Sequence, residues 1–458
     1  MSEALENTLE QLHQSGLFDA EWYCGTYPDV ASSGLEPAQH YLRYGFHMGR
    51  DPCAGFSTMF HRCAFAAVIG DDEPVTALAR LKAPEAESAK VLQAAYLASR
   101  TSGHKLALEL AEKHLAPAHR HGLNILRANQ SLSAGKTTDW LAALNSYLAH
   151  FAAPDLSLTQ TGGPLFDRLS AATMPAPITD GPLVSILMPA HNAAHSLERA
   201  VRSILEQSWR NIELIIVDDC SSDATPEKLA ALAREDARIK LHRNALNVGP
   251  YVSKNIALGM ATGRWITGHD ADDWAHPRRI ADHMASVTSG PEVLHPASLT
   301  YMVRMQANGS FANFDSVNDF SPDGITRIAS ISALFEADLL RNKLGYWDTV
   351  RVGADSEMIG RATRLLGAGF ARLEQIGMIC LSSPDTLTQH PKLGVRAADG
   401  TLSKARLQYE AIWKALHSHM RAEDLFLPFP QSKRRYAGAF GFDVPDREVA
   451  QCLAPPAE

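Results

Sequence analysis

The sequence predicts an α/β protein, a doubly wound and largely parallel sheet preceded by a mainly α-helical N-terminal region. Three observations predict it. Continuous apolar runs in the second half, LVSILMP, IELIIVDD and RWITGHD, alternate with segments of helical spacing. Ala- and Leu-rich stretches ahead of them repeat their apolar residues at helical intervals. The strand-like runs end on polar, mostly acidic residues, where ligands of such sheets bind.

Taken in order, residues 1–57 are rich in aromatics, Gly and Pro (FDAEWYCGTYPDV, then EPAQHYLRYGFHMGRDP) and read as a small accessory module. Residues 58–158 read as a helical domain, with runs such as AKVLQAAYLASR and HKLALELAEKHL; no strict period is visible, so no repeat array is predicted. Residues 159–182 carry Gly, Pro, Thr and Ala and read as a linker. The sheet domain spans 183–395. Leu183 to Pro189 is a strand buried on both faces. Ser196 stands where it caps a helix whose Leu197, Ala200, Val201, Ile204 and Leu205 share one face. Ile212 to Asp219 is the second strand, and Thr225-Pro226-Glu227 opens a helix with Pro at its first position. IKLHR is a third strand, Asn255 to Ala261 a helix and Arg264 to Asp270 a fourth strand. Residues 396–458 read as a C-terminal helix and tail.

At 458 residues the chain holds about two to four domains. Hydrophobic content of 45% and charged content of 21% belong to a globular protein with a real core. A net charge of -8 argues against nucleic acid as a partner, and the short run Lys433-Arg434-Arg435 reads as a solvated tail. Six scattered cysteines without a CxxC pair argue against a zinc ribbon or disulfide framework and fit a reducing compartment. MSEALENTLEQLHQSG is too polar for a secretory signal, and no apolar run is long enough to span a bilayer. The expected location is cytoplasmic, with at most peripheral contact at the inner membrane.

The chemistry sits at the strand ends: Pro189-Ala190-His191-Asn192, Asp218-Asp219 and Asp270-Ala271-Asp272-Asp273. Several carboxylates meeting in one crevice repel each other unless a cation joins them. Asp270 and Asp272 are two apart and face one way in an extended turn. Hard oxygen ligands of this kind suit Mg2+ or Mn2+, which clamp a diphosphate. A lone acidic turn reads as a helix cap; here an apolar strand precedes it, and VDDCSSDAT lies two strands earlier. Further on, VRVGADSEMIGR sets Asp355 and Glu357 at the start of a helical pattern, where carboxylates are also favoured by the macrodipole alone.

VSILMPAHNAAHSLERAVRSILEQSWRNIELIIVDDCSSDAT and NVGPYVSKNIALGMATGRWITGHDADDWAHPRRI together resemble the family 2 glycosyltransferases of the GT-A fold, a Rossmann-like mixed sheet that binds a nucleotide-diphospho-sugar. The resemblance covers residues 183–285 and continues more weakly to about 390 through LGYWDTVRVGADSEM. It implies an inverting transfer of a sugar from a nucleotide-sugar donor, UDP-linked in most of the family, to a hydroxyl of a glycan or lipid-linked acceptor. The products would be exopolysaccharide, capsule or lipopolysaccharide. Matched position by position, Pro189 and His191 meet the nucleotide base, His191 replacing the family's usual Tyr. Asp219 hydrogen-bonds the base with Asp218 in support, and Asn192 and Asn247 complete the donor contacts. Lys254 stands at a position often held by Arg and faces the pyrophosphate, although a helix lysine is equally read as solvated. Asp272 contacts the metal, Asp270 lies beside it near the donor, and His390 is a further metal candidate. Asp355 matches the catalytic base, with Glu357 in reserve.

Trp347 and Trp274 read as sugar-stacking or core aromatics. The segment Phe18 to Pro52 resembles a short module found beside such transferase domains, its aromatics serving a glycan or its own core, and the helical region behind it offers contacts to protein partners. Two other readings stay open: nucleotidyl transfer, which usually needs a Gly-rich basic loop that PAHNAAHS lacks, and a non-catalytic scaffold with a degenerate transferase domain.

Overall fold

The computed structural model describes residues 3–65, 87–160, 162–384, 386–390, 393–395, 403–438 and 440–454. The helical reading of 66–86 and the start of the predicted C-terminal region, 396–402, lie outside them. The chain divides into two compact units, Met1–His150 with Ser310–Arg327, and Phe151–Gly309 with Ile328–Glu458.

In the first unit the periodic stretches form helices Val91–Thr101, His104–His114, Leu123–Ser133 and Thr137–His150. Each turns its apolar stripe inward; Trp140, Leu144, Tyr147 and Leu148 of the last are all buried. Ahead of them Asp19 caps the helix Ala20–Thr26 by accepting from the Trp22 amide at 2.9 Å. Tyr23 and Tyr41 are fully buried, and the Tyr23 hydroxyl lies 3.1 Å from His40 Nδ1. A Cβ at Gly45 would lie 2.1 Å from that hydroxyl, so no larger residue fits there. These aromatics make the core of the small module.

Residues 310–327 join this unit although the sequence places them in the sheet domain. The Asn129 side chain pairs with both backbone groups of Phe311, at 2.7 and 2.8 Å. Buried Asp323 accepts from the Tyr147 hydroxyl at 2.7 Å, from Thr326 Oγ1 at 2.7 Å and from the Ile325 and Thr326 amides, and lies 3.0 Å from His121 Nε2. Polar residues carry this attachment, so hydrophobic periodicity gives no sign of it.

The second unit holds the sheet. Its elements are β1 Val184–Ala190, α1 Leu197–Leu205, β2 Ile212–Asp218, α2 Thr225–Glu235, β3 Ile239–Arg243, α3 Pro250–Met260, β4 Trp265–Gly268, β5 Trp274–Ala275, α4 Arg279–Val287, β6 Ala297–Met305, β7 Leu334–Glu336, α5 Ala354–Leu366, β8 Phe370–Leu381 and α6 Lys404–His419. The main path of the sheet runs β3-β2-β1-β4-β7-β6-β8-β5. β1, β2, β3 and β4 are mutually parallel, β7 runs against β4 and β6, β8 is parallel to β6, and β5 is antiparallel to β8. This is the expected mixed α/β sheet. Every residue of β1 and β2 is buried, as their unbroken apolar runs require. Glu213, inside β2, is tolerated because Ser185 Oγ and the Thr262 amide donate to it.

Two boundary readings need correction. Residues 159–182 are not a bare linker: Leu156–Leu158 pairs with Leu169–Ala171, Leu165–Arg168 makes a helical turn, and Ile178 bridges to Trp209. Their Gly and Pro mark turns within packed structure. Nor is the C-terminus a tail. Tyr436, Phe440, Phe442 and Val449 belong to the same core as Trp347, Met358 and Tyr409. Arg434, read as solvated, pairs with Asp348 at 3.5 Å and Asp443 at 2.6 Å, and Arg435 donates to the Phe426 carbonyl. Aromatics in irregular chain have no period to betray them.

Burial works against the Asp323 charge, but the donors from His121, Tyr147 and Thr326 outweigh it and hold its carboxyl down at about 2, from an ordinary 3.8. A depressed carboxyl contributes stability that is complete above its unfolded value and lost as pH falls through its folded one. Asp323→Asn is therefore expected to cost about 2 kcal/mol at pH 7. Urea titrations at pH 7, 4 and 2 should show that difference shrinking toward pH 2.

Candidate active site

The acidic turn follows β4. One carboxylate oxygen each from Asp270, Asp272 and Asp273 lies within 4.8 Å of the others. Helix α1 holds the turn by its backbone: Ser196 Oγ donates to the Ala271 carbonyl at 2.9 Å and Arg199 Nη2 to the Asp272 carbonyl at 2.7 Å. Ser196 does precede its helix but makes no capping bond; its hydroxyl is used here instead. Asp273 Oδ1 accepts from the Leu381 amide on β8 at 2.9 Å. With the carbonyls engaged, the carboxylates face one another. Burial raises all three: with repulsion from Asp270, Asp272 is pushed up to about 6; with repulsion from Asp272 and Asp270, Asp273 goes well above its ordinary value; and Asp270 goes upward, helped by Asp355, despite the Lys254 charge. An oxygen-rich cluster that resists its own ionisation fits a hard divalent cation. Asp273 was missed because an extended turn was expected, in which only alternate residues face one way.

Beside this cluster α3 and α5 bring Lys254 and Asp355 together. Lys254 is 1% exposed, so the solvated reading fails. Its ammonium lies 3.2 and 3.3 Å from the two Asp355 oxygens and 3.9 Å from Asp270 Oδ1. Burial alone would lower its proton affinity; Asp355 and Asp270 reverse that and hold it above the usual lysine value. Asp355 sits in the first turn of α5, after Gly353 in the left-handed region at φ 88°. The helix of Lys254 begins at Pro250, earlier than predicted. Its Asn255 donates to the Trp347 carbonyl at 2.8 Å and accepts from the Trp347 amide at 2.9 Å, while Trp347 Nε1 donates to Asp355 Oδ1 at 3.1 Å. Asn255, Trp347 as a hydrogen-bond donor, and Arg199 were all missed.

The strand-end loops of β1 and β2 are stitched to each other. Asn192 (φ 47°) and Cys220 (φ 60°) occupy the left-handed region, sparsely used by residues other than Gly. Asn192 Oδ1 accepts from the Ser222 amide at 2.9 Å, and its own amide donates to Ser221 Oγ. Exposed His191 has its Nδ1 2.9 Å from the Asp219 carbonyl, and Pro189 is buried within β1. Asp218 Oδ1 accepts from the Ser221 amide, and its other oxygen lies 3.2 Å from Arg243 Nε. The Asp219 carboxylate is 2% exposed and accepts from Asn244 Nδ2, the Val248 amide and the Gly249 amide. Here it clamps the loop entering α3. Asn247 is held in turn by Arg351, which donates to its side chain and its carbonyl.

Two candidates are not brought to this place as reactive groups. Glu357 is fully buried, paired with Arg361 at 2.6 Å, accepts from the Tyr436 hydroxyl and lies 3.2 Å from His417 Nε2. One turn pattern carries both carboxylates, but the residue two after Asp355 points into the protein, so Glu357 is corrected from reserve base to structural anchor. His390 lies outside the group of possible ligands around Asp270; its Nδ1 accepts from the Leu393 amide within its own turn. Arg304, unforeseen, sits on β6 beside Cys380, and its charge offsets those of the three aspartates; its buried Nε finds no partner among the described residues.

Residues 185–302, which contain the strand ends, the Lys254 helix and the acidic turn, match the family described as Glycosyl transferase family 2. They form a family 2 glycosyltransferase domain. The transferase domain is 40% identical over 106 residues to the succinoglycan biosynthesis protein ExoO of Rhizobium meliloti, covering 23% of this chain and 30% of that protein. It is 44% identical over 94 residues to the UDP-Glc:alpha-D-GlcNAc-diphosphoundecaprenol beta-1,3-glucosyltransferase WfgD of Escherichia coli, covering 20% of this chain and 36% of that one. The match thus spans about a third of the length of these relatives. Among solved structures, S. aureus TarS in complex with UDP shares 17% identity at a TM-score of 0.38, over 51% of this chain and 64% of that one.

Removing Glu357 leaves Arg361 buried without its counter-charge. Glu357→Ala should cost about 3–5 kcal/mol in urea unfolding. A reactive carboxylate would show the opposite pattern, lost turnover with unchanged stability.

Proposed function

We propose that this chain moves a sugar from a nucleotide-sugar donor to a hydroxyl of a growing glycan, with inversion at the anomeric carbon. The observation that carries the reading is the meeting of Asp270, Asp272 and Asp273 with Asp355 through the single buried ammonium of Lys254. It puts a cation-attracting cluster and a hydrogen-bonded carboxylate on one side of the sheet, at the end of β4.

Asp270 and Asp272, with Asp273 behind them, would hold a Mg2+ or Mn2+ ion. Such an ion offsets the charge that builds on a departing nucleoside diphosphate. The chain's own groups do the rest. His191, Asn192 and the loop clamped by Asp219 form the nucleotide end. Lys254 turns a positive charge toward the diphosphate, as a point charge and not a fork. Asp355 takes the proton of the attacking hydroxyl as the new glycosidic bond forms and the bond to the diphosphate breaks, an effect typically worth about 10²–10⁴-fold. A relative that uses UDP-Glc and acts on a diphospholipid-linked sugar supports a UDP-sugar donor and a lipid-linked acceptor here. No helix among the described residues is long and apolar enough to cross a membrane.

The test is release of nucleoside diphosphate from a panel of UDP- and GDP-sugars with Mn2+. Asp355→Asn is expected to keep UDP affinity and lose at least a hundredfold in turnover, and full turnover in that variant would remove Asp355 as base. If no donor is turned over and UDP does not bind with Mn2+, the scaffold reading replaces this one. Because the Asp272 carboxyl sits at about 6, protons compete with the metal below that pH. Mn2+ should raise the melting temperature more at pH 7.5 than at pH 5.5, and Asp272→Ala should abolish the rise; a rise equal at both pH values would contradict the metal assignment.

A further inference from the structure

We propose that Trp347 is a positioning residue for Asp355, fixing through its indole N–H which carboxylate oxygen is left to receive the acceptor's proton. The inference rests on Asp355 being the base. Lys254 reaches both Asp355 oxygens, at 3.2 and 3.3 Å, but Trp347 Nε1 donates only to Oδ1, at 3.1 Å. Among the described residues, Oδ1 therefore carries two donors and Oδ2 one. Oδ2 keeps the free lone-pair direction, and it is the oxygen on which the proton arrives.

The indole is held too firmly for this to be incidental. Its backbone is bracketed by both polar atoms of Asn255, the neighbour of Lys254 on α3. The preceding Tyr346 donates its amide to the Leu427 carbonyl at 2.8 Å, and its carbonyl accepts from Arg361 Nη2 at 2.8 Å. At Gly345 a Cβ would lie 2.1 Å from the Leu427 oxygen, so the loop cannot shift toward a bulkier residue there. Arg361 is the partner of Glu357, so that anchor reaches the base through this loop. A buried indole N–H is satisfied by any acceptor within reach. A backbone carbonyl would satisfy packing; here the acceptor is the one carboxylate that the reaction needs, and consecutive residues of one helix, Lys254 and Asn255, hold it directly and through Trp347. Trp347 is 6% exposed, which makes it a support for the base and not a platform for the sugar.

The test removes the N–H and keeps the ring: Trp347 is replaced by 3-benzothienylalanine, an isostere with sulfur in place of the indole nitrogen, beside Trp347→Phe and Asp355→Asn. In 15N-labelled protein the Trp347 indole signal, assigned by its loss in Trp347→Phe, should move in Asp355→Asn. The isostere should lower turnover of the donor chosen by the panel by about tenfold or more, with the affinity for UDP and Mn2+ unchanged. A packing role would leave turnover of the isostere at the wild-type rate, and that result, or an indole signal indifferent to Asp355→Asn, overturns the inference. If Asp355→Asn itself turns over normally, the base assignment falls and this inference with it. If Asp355→Asn is inactive while the isostere is fully active, only the role of Trp347 falls.

Discussion

The ammonium of Lys254 is taken almost completely out of water, and a charge so placed is tolerable only when carboxylates and hydrogen bonds replace the solvent it lost. Asp355 and Asp270 supply them. The rest of the site depends on this one cation. It lies between a cluster of acids on the turn after β4 and an acid at the start of α5, groups about 85 residues apart in sequence. Without it, Asp355 would add a further negative charge to a neighbourhood already short of counter-charge.

The sheet makes that meeting possible. Parallel pairing of β1 with β2 and with β4 brings the ends of all three strands to one edge, so the chain leaves each in the same direction. Short hydrogen bonds then fix the loops beyond that edge: α1 grips the carbonyls of Ala271 and Asp272, β8 supplies an amide to Asp273, and Asp219 accepts three donors to hold the approach to α3. Backbone groups are satisfied first, and charged side chains are left to face inward. The anchor of α5 is of another kind. Glu357, Arg361, His417 and Tyr436 form a buried polar group that ties this helix to the C-terminal segment, so His417 and Tyr436 support the site without entering it.

Much of this was legible in the sequence. Unbroken apolar runs identified β1, β2 and β4, and the acids at their ends marked the edge where they meet, because those patterns arise directly from burial on two faces and from charge repulsion. What was hidden depends on side-chain direction. Asp355 and Glu357 look alike in VRVGADSEMIGR, yet their positions on the helix send one toward Lys254 and the other into the core. Asn255 gave no signal, and Trp347 stood out only as a sugar-stacking or core aromatic, since an amide that brackets a backbone and an indole that finds an acceptor resemble any buried pair. The attachment of residues 310–327 through Asp323 and the packing of Tyr436 and Phe440 were equally silent, one being polar and the other aperiodic. His390 was suggested by resemblance alone, and its own turn uses it.

Whether these aspartates hold a metal against the diphosphate can be seen by anomalous diffraction at the manganese edge, from crystals grown with Mn2+ and UDP. One strong peak is expected, bounded by the carboxylates of Asp270 and Asp272, with the UDP phosphates against it and Lys254 nearby. UDP bound with no manganese between those two aspartates, or a manganese peak at residues remote from Asp355, would contradict it.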